Sequence, residues 1–267
     1  FLNHYESLGV EGMLLAFHAP HGEQDESVAG LRAVAKGHGH DASTVKVGPW
    51  DETMNQELLR TLRLRDGPRS WHVIADTDEL HQYPMALDEL HDLAVTSGST
   101  AVDGVLVDRI HPSGSLARWP EDNRPDLFYS LGGFFTPNVL GADPRKIVMA
   151  RADQVVEIGQ HWSPTATLVP RQLAGPTHCH HFKWVFGVAD YLIERRRKFE
   201  TGEWREESPA MRAEVSRFLA HLDANGGRID AYSESSRFRP CGVSVVDPTL
   251  NSEAENVVEV WSERLGG

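Results

Sequence analysis

The sequence predicts a mixed α/β fold with a mostly parallel central sheet that is flanked by helices. Short apolar runs alternate with segments of helical periodicity through the first half of the chain. The helical segments are about ten residues long, which suits crossover connections between parallel strands. At 267 residues, of which 40% are hydrophobic, the chain is long enough for one substantial core. We therefore expect a single domain.

The predicted elements follow in chain order. Apolar runs predict strands at 13–18, 44–47, 71–75 and 102–110, and apolar residues at helical spacing predict helices at 26–36, 54–62 and 87–94. Beyond them, a strand pair is predicted at 146–150 and 155–158, and helices at 184–198 and 211–222. The apolar stripe of the last helix is interpreted as core. This order of strands and helices favours a sheet that is covered on both faces.

The connection 111–145 is rich in Pro, Gly and polar residues, and it also carries Trp119, Phe128, Phe134 and Phe135. Long loops of this composition are often functional. The aromatic rings are expected either to stack on a sugar or to form the packing core of the loop itself.

The composition narrows the class of protein. A net charge of -13 argues against binding of nucleic acid through its phosphates. The two cysteines, Cys179 and Cys241, suit a reducing compartment. No run of about 18 apolar residues and no charged-then-apolar leader is found, so we expect a cytoplasmic protein without a membrane span. Because the chain opens at Phe1 within an apolar stretch, we also expect native residues upstream of it.

An acidic motif follows the predicted strand 71–75. Asp76, Asp78 and Glu79 lie within four residues, at the strand end where ligands bind in open α/β sheets. Carboxylates so close together repel one another unless a cation lies between them, and oxygen ligands suit Mg²⁺ or Mn²⁺. The alternative is a short acidic turn that caps the next helix or faces water.

Several segments together carry a resemblance to a known family. They read FLNHYESLGV at 1–10, WHVIADTDEL at 71–80, GVLVDR at 104–109, KIV at 146–148, GQH at 159–161 and HHFKW at 180–184. With these segments in this order, the chain resembles the GT-A glycosyltransferases of the family 2-like type over about residues 1 to 185. The strand with its acidic motif and the His-Phe-Lys motif are the most specific of these segments. The family's usual first strand would lie before Phe1.

The resemblance implies a nucleotide-sugar site that contains a divalent cation, Mn²⁺ or Mg²⁺. Asp78 would bind the cation directly, Asp76 would contact the ribose or a metal-bound water, and Glu79 would orient the loop as part of the catalytic group. A histidine far beyond the acidic motif in the sequence would complete the metal shell. His181 matches that position best, with His161 as the substitute. The cation would offset the charge on the departing nucleoside diphosphate.

The remaining candidate residues each have a plainer alternative. Lys183 is expected to neutralise donor phosphate, or else to be solvent-exposed. Asp108 is the first candidate for a catalytic base that reaches the sugar or the acceptor, ahead of Glu121 and Asp122, and Arg109 is counted with the donor-binding residues. The pair Asp108-Arg109 would otherwise be an ion pair at a strand end.

The run 177–181, THCHH, also resembles a zinc-binding segment. Strand alternation sends His178 and His180 to one face, and Cys179 and His181 to the other, so one face cannot use all four. The paired second cluster that such sites need is missing. We therefore do not expect a dedicated structural zinc site there.

These observations predict a metal-dependent glycosyltransferase with a nucleotide-sugar donor and a carbohydrate or small-molecule acceptor. Residues 1–110 would bind the donor, 111–200 would bind the acceptor and complete the metal site, and 201–267 would form a helical extension. One alternative is a phosphohydrolase of the haloacid-dehalogenase type, although that class expects Thr or Val where Leu80 stands. The other is a catalytically silent nucleotide-binding or carbohydrate-binding relative.

Overall fold

A computed structural model describes residues 1–19, 22, 26–40, 44–49, 52–120, 123–204 and 209–266. These residues form a mixed α/β fold, as the sequence predicts. The helices are Leu2–Ser7 (α1), Glu26–Gly37 (α2), Glu52–Arg63 (α3), Leu87–Thr96 (α4), Pro125–Phe128 (α5), Arg171–Ala174 (α6), Val188–Glu200 (α7), Pro209–Ala224 (α8) and Pro248–Gly266 (α9). The strands are Ala16–Ala19 (β1), Thr44–Val47 (β2), Trp71–Val73 (β3), Glu79–Gln82 (β4), Ala101–Ile110 (β5), Leu131–Gly133 (β6), Arg145–Arg151 (β7), Thr177–His181 (β8) and Arg239–Pro240 (β9).

The larger sheet of the described residues has seven strands, with β5 at its centre. Its main path runs β3-β7-β5-β6-β9, while β8 pairs with β5 and with β4. Within this sheet only the β5–β8 pair is parallel; the pairs β3–β7, β4–β8, β5–β6, β5–β7 and β6–β9 are antiparallel. Strands β1 and β2 form a separate parallel pair. The expectation of a mostly parallel sheet is therefore wrong for the described residues.

The helix expected as a crossover does not join parallel strands. Helix α4 links β4 to β5, but these two strands run in opposite directions and β8 lies between them. Strands β6 and β7 both pair with β5 and are antiparallel to it; the segment that joins them contains a π-helical turn, Thr136–Leu140. The predicted strand at 155–158 is also wrong, because this segment turns back on itself: the Glu157 N–H donates to the Trp162 carbonyl at 3.1 Å.

Strand β5 is almost entirely buried and contributes to the core on both of its faces. On one face Val102 and Leu106 pack with Leu90 of α4 and with Cys179. On the other, Val105 and Val107 pack against α9 through a set that includes Leu250, Ala254 and Val257. Further along, Ile110 joins a cluster with Trp184 and residues of α7 and α8. None of the helices in the described ranges is long and apolar enough to cross a membrane.

The polar residues of interest lie mainly on the α4 side of the sheet. Paired residues of neighbouring strands share a face, and so do residues two apart on one strand. We call this side the cleft face; it carries Leu106, Asp108, Lys146, Glu79, His81, Cys179 and His181. The opposite side is the α9 face.

Candidate functional site

The acidic motif forms a tight turn between β3 and β4. The Glu79 N–H donates to the Asp76 carbonyl at 3.1 Å, and the Asp76 N–H donates to Oε2 of Glu79 at 3.3 Å. This reciprocal pair closes the turn. The side chains of Asp76 and Asp78 remain 45% and 44% exposed. The turn leads into a strand, so the alternative in which the acids cap a following helix is wrong.

This turn lies on a large open cleft of about 1600 Å³. The walls include both exposed acids together with His161, His181 and Lys183. With Glu79, which also lines the cleft, six of the sequence-predicted site residues share one cavity.

His181 links the exposed acid to a buried one. Its Nε2 lies 3.5 Å from Oδ2 of Asp78, and its Nδ1 lies 3.8 Å from Oδ1 of Asp108. The register of β8 produces this position, because it places His181 opposite Glu79 and beside Asp108. Burial by itself lowers the pKa of His181, but the two carboxylates outweigh it and raise the pKa to about 10.

A buried ion pair supports the turn from below. Lys146 Nζ lies 2.7 Å from Oε1 of Glu79 and 3.2 Å from Oδ2 of Asp76, and it donates to the Gly159 carbonyl at 3.1 Å. Burial alone raises the pKa of Glu79, but the Lys146 ammonium holds that pKa well below its usual range. Glu79 is only 2% exposed, so its contacts agree with the expected orienting role and do not bring it to a reacting group.

Lys146 was not singled out from the sequence as a site residue. It begins the apolar run KIVMA, and alternation places it on the same face as Val148, which is fully buried. A lysine at an inward position of an apolar strand is a signal of a buried anion, because buried charges need a partner.

Asp108 lies beneath the cleft and does not open into it. Its side chain is fully buried. Its carboxylate accepts hydrogen bonds from the backbone N–H of Thr136 at 2.6 Å, the hydroxyl of Thr136 at 2.7 Å and Nε1 of Trp184 at 2.8 Å. This position argues against the predicted role of a base in contact with the acceptor. The geometry fits a residue that positions His181.

Arg109 lies on the α9 face, because neighbouring strand residues point to opposite sides. Its guanidinium is buried and donates to the carbonyls of Tyr129 at 3.0 Å, Asp126 at 3.0 Å and Cys241 at 2.7 Å. The predicted donor-binding role is therefore incompatible with this position. The alternation also separates it from Asp108, so the alternative of an ion pair between the two fails as well.

Lys183 does reach the cleft, where it pairs with Glu214 of α8 and lies 4.9 Å from the centre of the Trp184 ring. Glu214, which is not part of the apolar stripe of α8, also lines the cleft. His161 lines the same cleft, and its Nδ1 lies 2.8 Å from the Arg145 carbonyl. Of the two candidate histidines, His181 is the one that lies near Asp78, with Nε2 at 3.5 Å from Oδ2.

The aromatic loop contributes mostly to the core. Phe134 and Phe135 are fully buried, so the expected stacking surface is wrong for these two rings, whereas Trp119 is 44% exposed. The other two candidates for the base, Glu121 and Asp122, lie outside the described residues.

Comparison of this chain with protein-family models, curated proteins and solved structures finds no match. The resemblance to GT-A glycosyltransferases therefore depends on the sequence segments quoted above.

Proposed function

We propose that this chain is a metal-dependent glycosyltransferase that transfers a sugar from a nucleotide-diphosphate sugar to a carbohydrate or small-molecule acceptor. One observation carries the proposal: the acidic turn presents two half-exposed carboxylates to a large cleft, with His181 at 3.5 Å from Asp78. The GT-A-like identity of the fold is part of the same proposal, and the quoted sequence segments support it.

The donor atoms fit a divalent cation. Ligand atoms about 2.1 Å from an octahedral ion lie about 3 Å apart, which a small movement of Asp78 and His181 would reach. The Nδ1 of His181 faces the carboxylate of Asp108, and such a partner commonly orients a metal-binding histidine. Asp78 and His181 would hold the ion, which would supply charge stabilisation for the leaving diphosphate.

The surrounding residues have supporting roles in this proposal. Lys146 holds Asp76 and Glu79 in place, which keeps the turn in the geometry that exposes Asp78. Lys183 would contact donor phosphate by exchanging its pairing with Glu214 for the phosphate. With Asp108 buried, Glu214 becomes the first carboxylate of the cleft wall to test as the base.

The test is calorimetric titration with UDP, GDP, CDP and dTDP, with and without Mn²⁺. We expect metal-dependent binding of one nucleotide, and at least about a tenfold loss of affinity in Asp78→Asn, which corresponds to about 1.4 kcal/mol. The matched control is Asp92→Asn on α4, whose side chain is 84% exposed. It should bind as the wild type does.

Turnover of the corresponding nucleotide sugars then separates an enzyme from a silent relative. Hydrolysis of simple phosphate esters without nucleotide binding would overturn the proposal in favour of a phosphohydrolase. Nucleotide binding of equal affinity with and without Mn²⁺ would contradict the metal dependence of the proposed function.

A further inference from the structure

Strands β4 and β8 bring three potential metal ligands together behind the acidic turn. Glu79 and His81 are two residues apart on β4 and therefore share a face, and Cys179 of β8 pairs with His81. All three side chains are buried. One ligand atom from each, a carboxylate oxygen, an imidazole nitrogen and the Sγ, lie within 4.8 Å of one another.

The imidazole of His81 points an unpaired nitrogen into this group. Its Nδ1 lies 3.0 Å from the hydroxyl of Tyr83, and that hydroxyl donates to the Val148 carbonyl at 3.4 Å. The tautomer in which the Nδ1–H of His81 donates to Tyr83 leaves the lone pair on Nε2, as a metal ligand needs.

Within the described part of the chain, Nε2 of His81 has no hydrogen-bond partner, and Oε2 of Glu79 lies 3.7 Å from it. Leaving a buried acceptor unpaired costs free energy. A histidine with one nitrogen anchored and the other unpaired towards acidic and thiol groups is the arrangement seen at metal ligands.

We propose that Glu79, His81 and Cys179 form a zinc-binding site. Carboxylate, imidazole and thiolate are the usual ligands of zinc, and three protein ligands leave a fourth position for water. Ligand atoms about 2.1 Å from a tetrahedral ion lie about 3.4 Å apart, close to the observed separation of His81 and Glu79. The run 177–181 has no second group of ligands near it in the sequence. In the fold, β4 supplies one, and His81 lies 98 positions before its partner Cys179.

The charges of this site balance. On binding, the Cys179 thiol releases its proton to solvent. The thiolate and the carboxylates of Glu79 and Asp76 then carry three negative charges, against the three positive charges of the dication and the Lys146 ammonium. Oε1 of Glu79 keeps its contact with Lys146 at 2.7 Å, while Oε2 faces His81. The ion would tie β4 to β8 directly beneath the turn that carries Asp78.

This inference does not depend on the proposed function, and its test uses Co²⁺ as a spectroscopic substitute. We expect metal-free protein to bind one equivalent of Co²⁺ with a thiolate-to-cobalt charge-transfer band, which Zn²⁺ then removes by displacement. Cys179→Ser should abolish the band and lower zinc affinity by at least about a hundredfold, beyond the loss typical of an outer-shell partner. The matched control, Cys241→Ser, should keep both.

Two further variants separate this site from its surroundings. Tyr83→Phe removes the partner of Nδ1 and should lower zinc affinity by about 10- to 100-fold while the charge-transfer band remains. Asp78→Asn should keep the band, even though it is expected to lose metal-dependent nucleotide binding. Failure of the zinc site and failure of the proposed function are therefore distinguishable.

X-ray absorption at the zinc edge of the wild-type protein provides a test that needs no variant. We expect one sulfur neighbour, with nitrogen and oxygen in the other positions. A zinc shell without sulfur, no cobalt band in folded wild-type protein, or a band that persists in Cys179→Ser would each overturn the site. The three side chains would then form only a hydrogen-bonded cluster in which the thiol donates to Glu79.

Discussion

Asp108 and Arg109 are neighbours in sequence, yet they belong to two different environments. Asp108 lies on the cleft face and reaches the solvent-exposed Asp78 through His181. Arg109 lies on the α9 face, where backbone carbonyls enclose its guanidinium. Both side chains are buried and charged, but only Asp108 lies beside a residue of the cleft wall, His181. Strand alternation, and not closeness in a motif, decides which charged residue can act on a ligand.

Lys146 and Arg109 also satisfy their charges differently. Lys146 pairs with the carboxylates of Glu79 and Asp76. Arg109 forms no ion pair within the described residues; it donates to three backbone carbonyls and lies within hydrogen-bond distance of Nδ1 of His180 and Sγ of Cys241. Removing Lys146 therefore leaves a buried carboxylate without its partner, whereas removing Arg109 leaves neutral acceptors without a donor. The variants Lys146→Met and Arg109→Met test this difference.

The largest effect is expected at the buried ion pair. In metal-free protein, Lys146→Met leaves Glu79 without its cation and should lower the free energy of unfolding by about 3 to 5 kcal/mol, measured by urea denaturation in the presence of EDTA. The double variant Lys146→Met with Glu79→Gln should recover part of this loss, because no buried charge remains. A loss below about 1 kcal/mol in the single variant would contradict the importance of this pair.

Arg109→Met should lower the free energy of unfolding by about 3 kcal/mol, because it leaves buried carbonyls without donors. Metal-dependent nucleotide binding by the folded variant should stay at the wild-type level, since the residue does not face the cleft. The matched control is Arg196→Met on the surface of α7, where Arg196 forms an i,i+4 pair with Glu200. This substitution should change the free energy of unfolding by less than about 0.5 kcal/mol. A selective loss of nucleotide binding in Arg109→Met would restore its predicted donor-binding role.

His181 predicts a pH dependence of stability in metal-free protein. Its pKa is raised to about 10 in the folded state, above the value of about 6.5 expected in the unfolded chain. The folded state therefore holds the proton more tightly, and its stabilisation is complete below about pH 6.5 and is lost as the pH rises towards about 10.

Between about pH 7 and pH 9 the unfolding free energy should fall by about 2 kcal/mol in the presence of EDTA. His181→Gln should lack this part of the slope, which a comparison of the two urea denaturation series at each pH measures. Equal slopes would mean that the Asp78 and Asp108 carboxylates do not hold the proton on His181.

The sequence predicted the elements of the fold better than their arrangement. The strand at 44–47 and the helix at 87–94 agree closely with β2 and α4. Strand pairing could not be predicted, because it depends on contacts between distant segments. Strand β4 was missed because its residues, ELHQ, lack the apolar pattern of a strand even though all four are buried.

The candidate site was predictable only in part. The acidic motif and the late histidine could be found from the resemblance, and their residues do meet at Asp78 and His181. Lys146 and Glu214 could not, because each lies in an element whose pattern indicates core. A buried ionic contact depends on which strand or helix faces which, and a single sequence does not contain that information.

In the proposed function, Asp78 and His181 bind a divalent cation at the cleft. A crystal structure with Mn²⁺ and the tightest-binding nucleoside diphosphate of the panel tests it most directly, through the anomalous signal of manganese. We expect one peak within about 2.5 Å of both an Asp78 carboxylate oxygen and Nε2 of His181, next to the diphosphate. A nucleotide bound in the cleft with no manganese between these two side chains would contradict the claim.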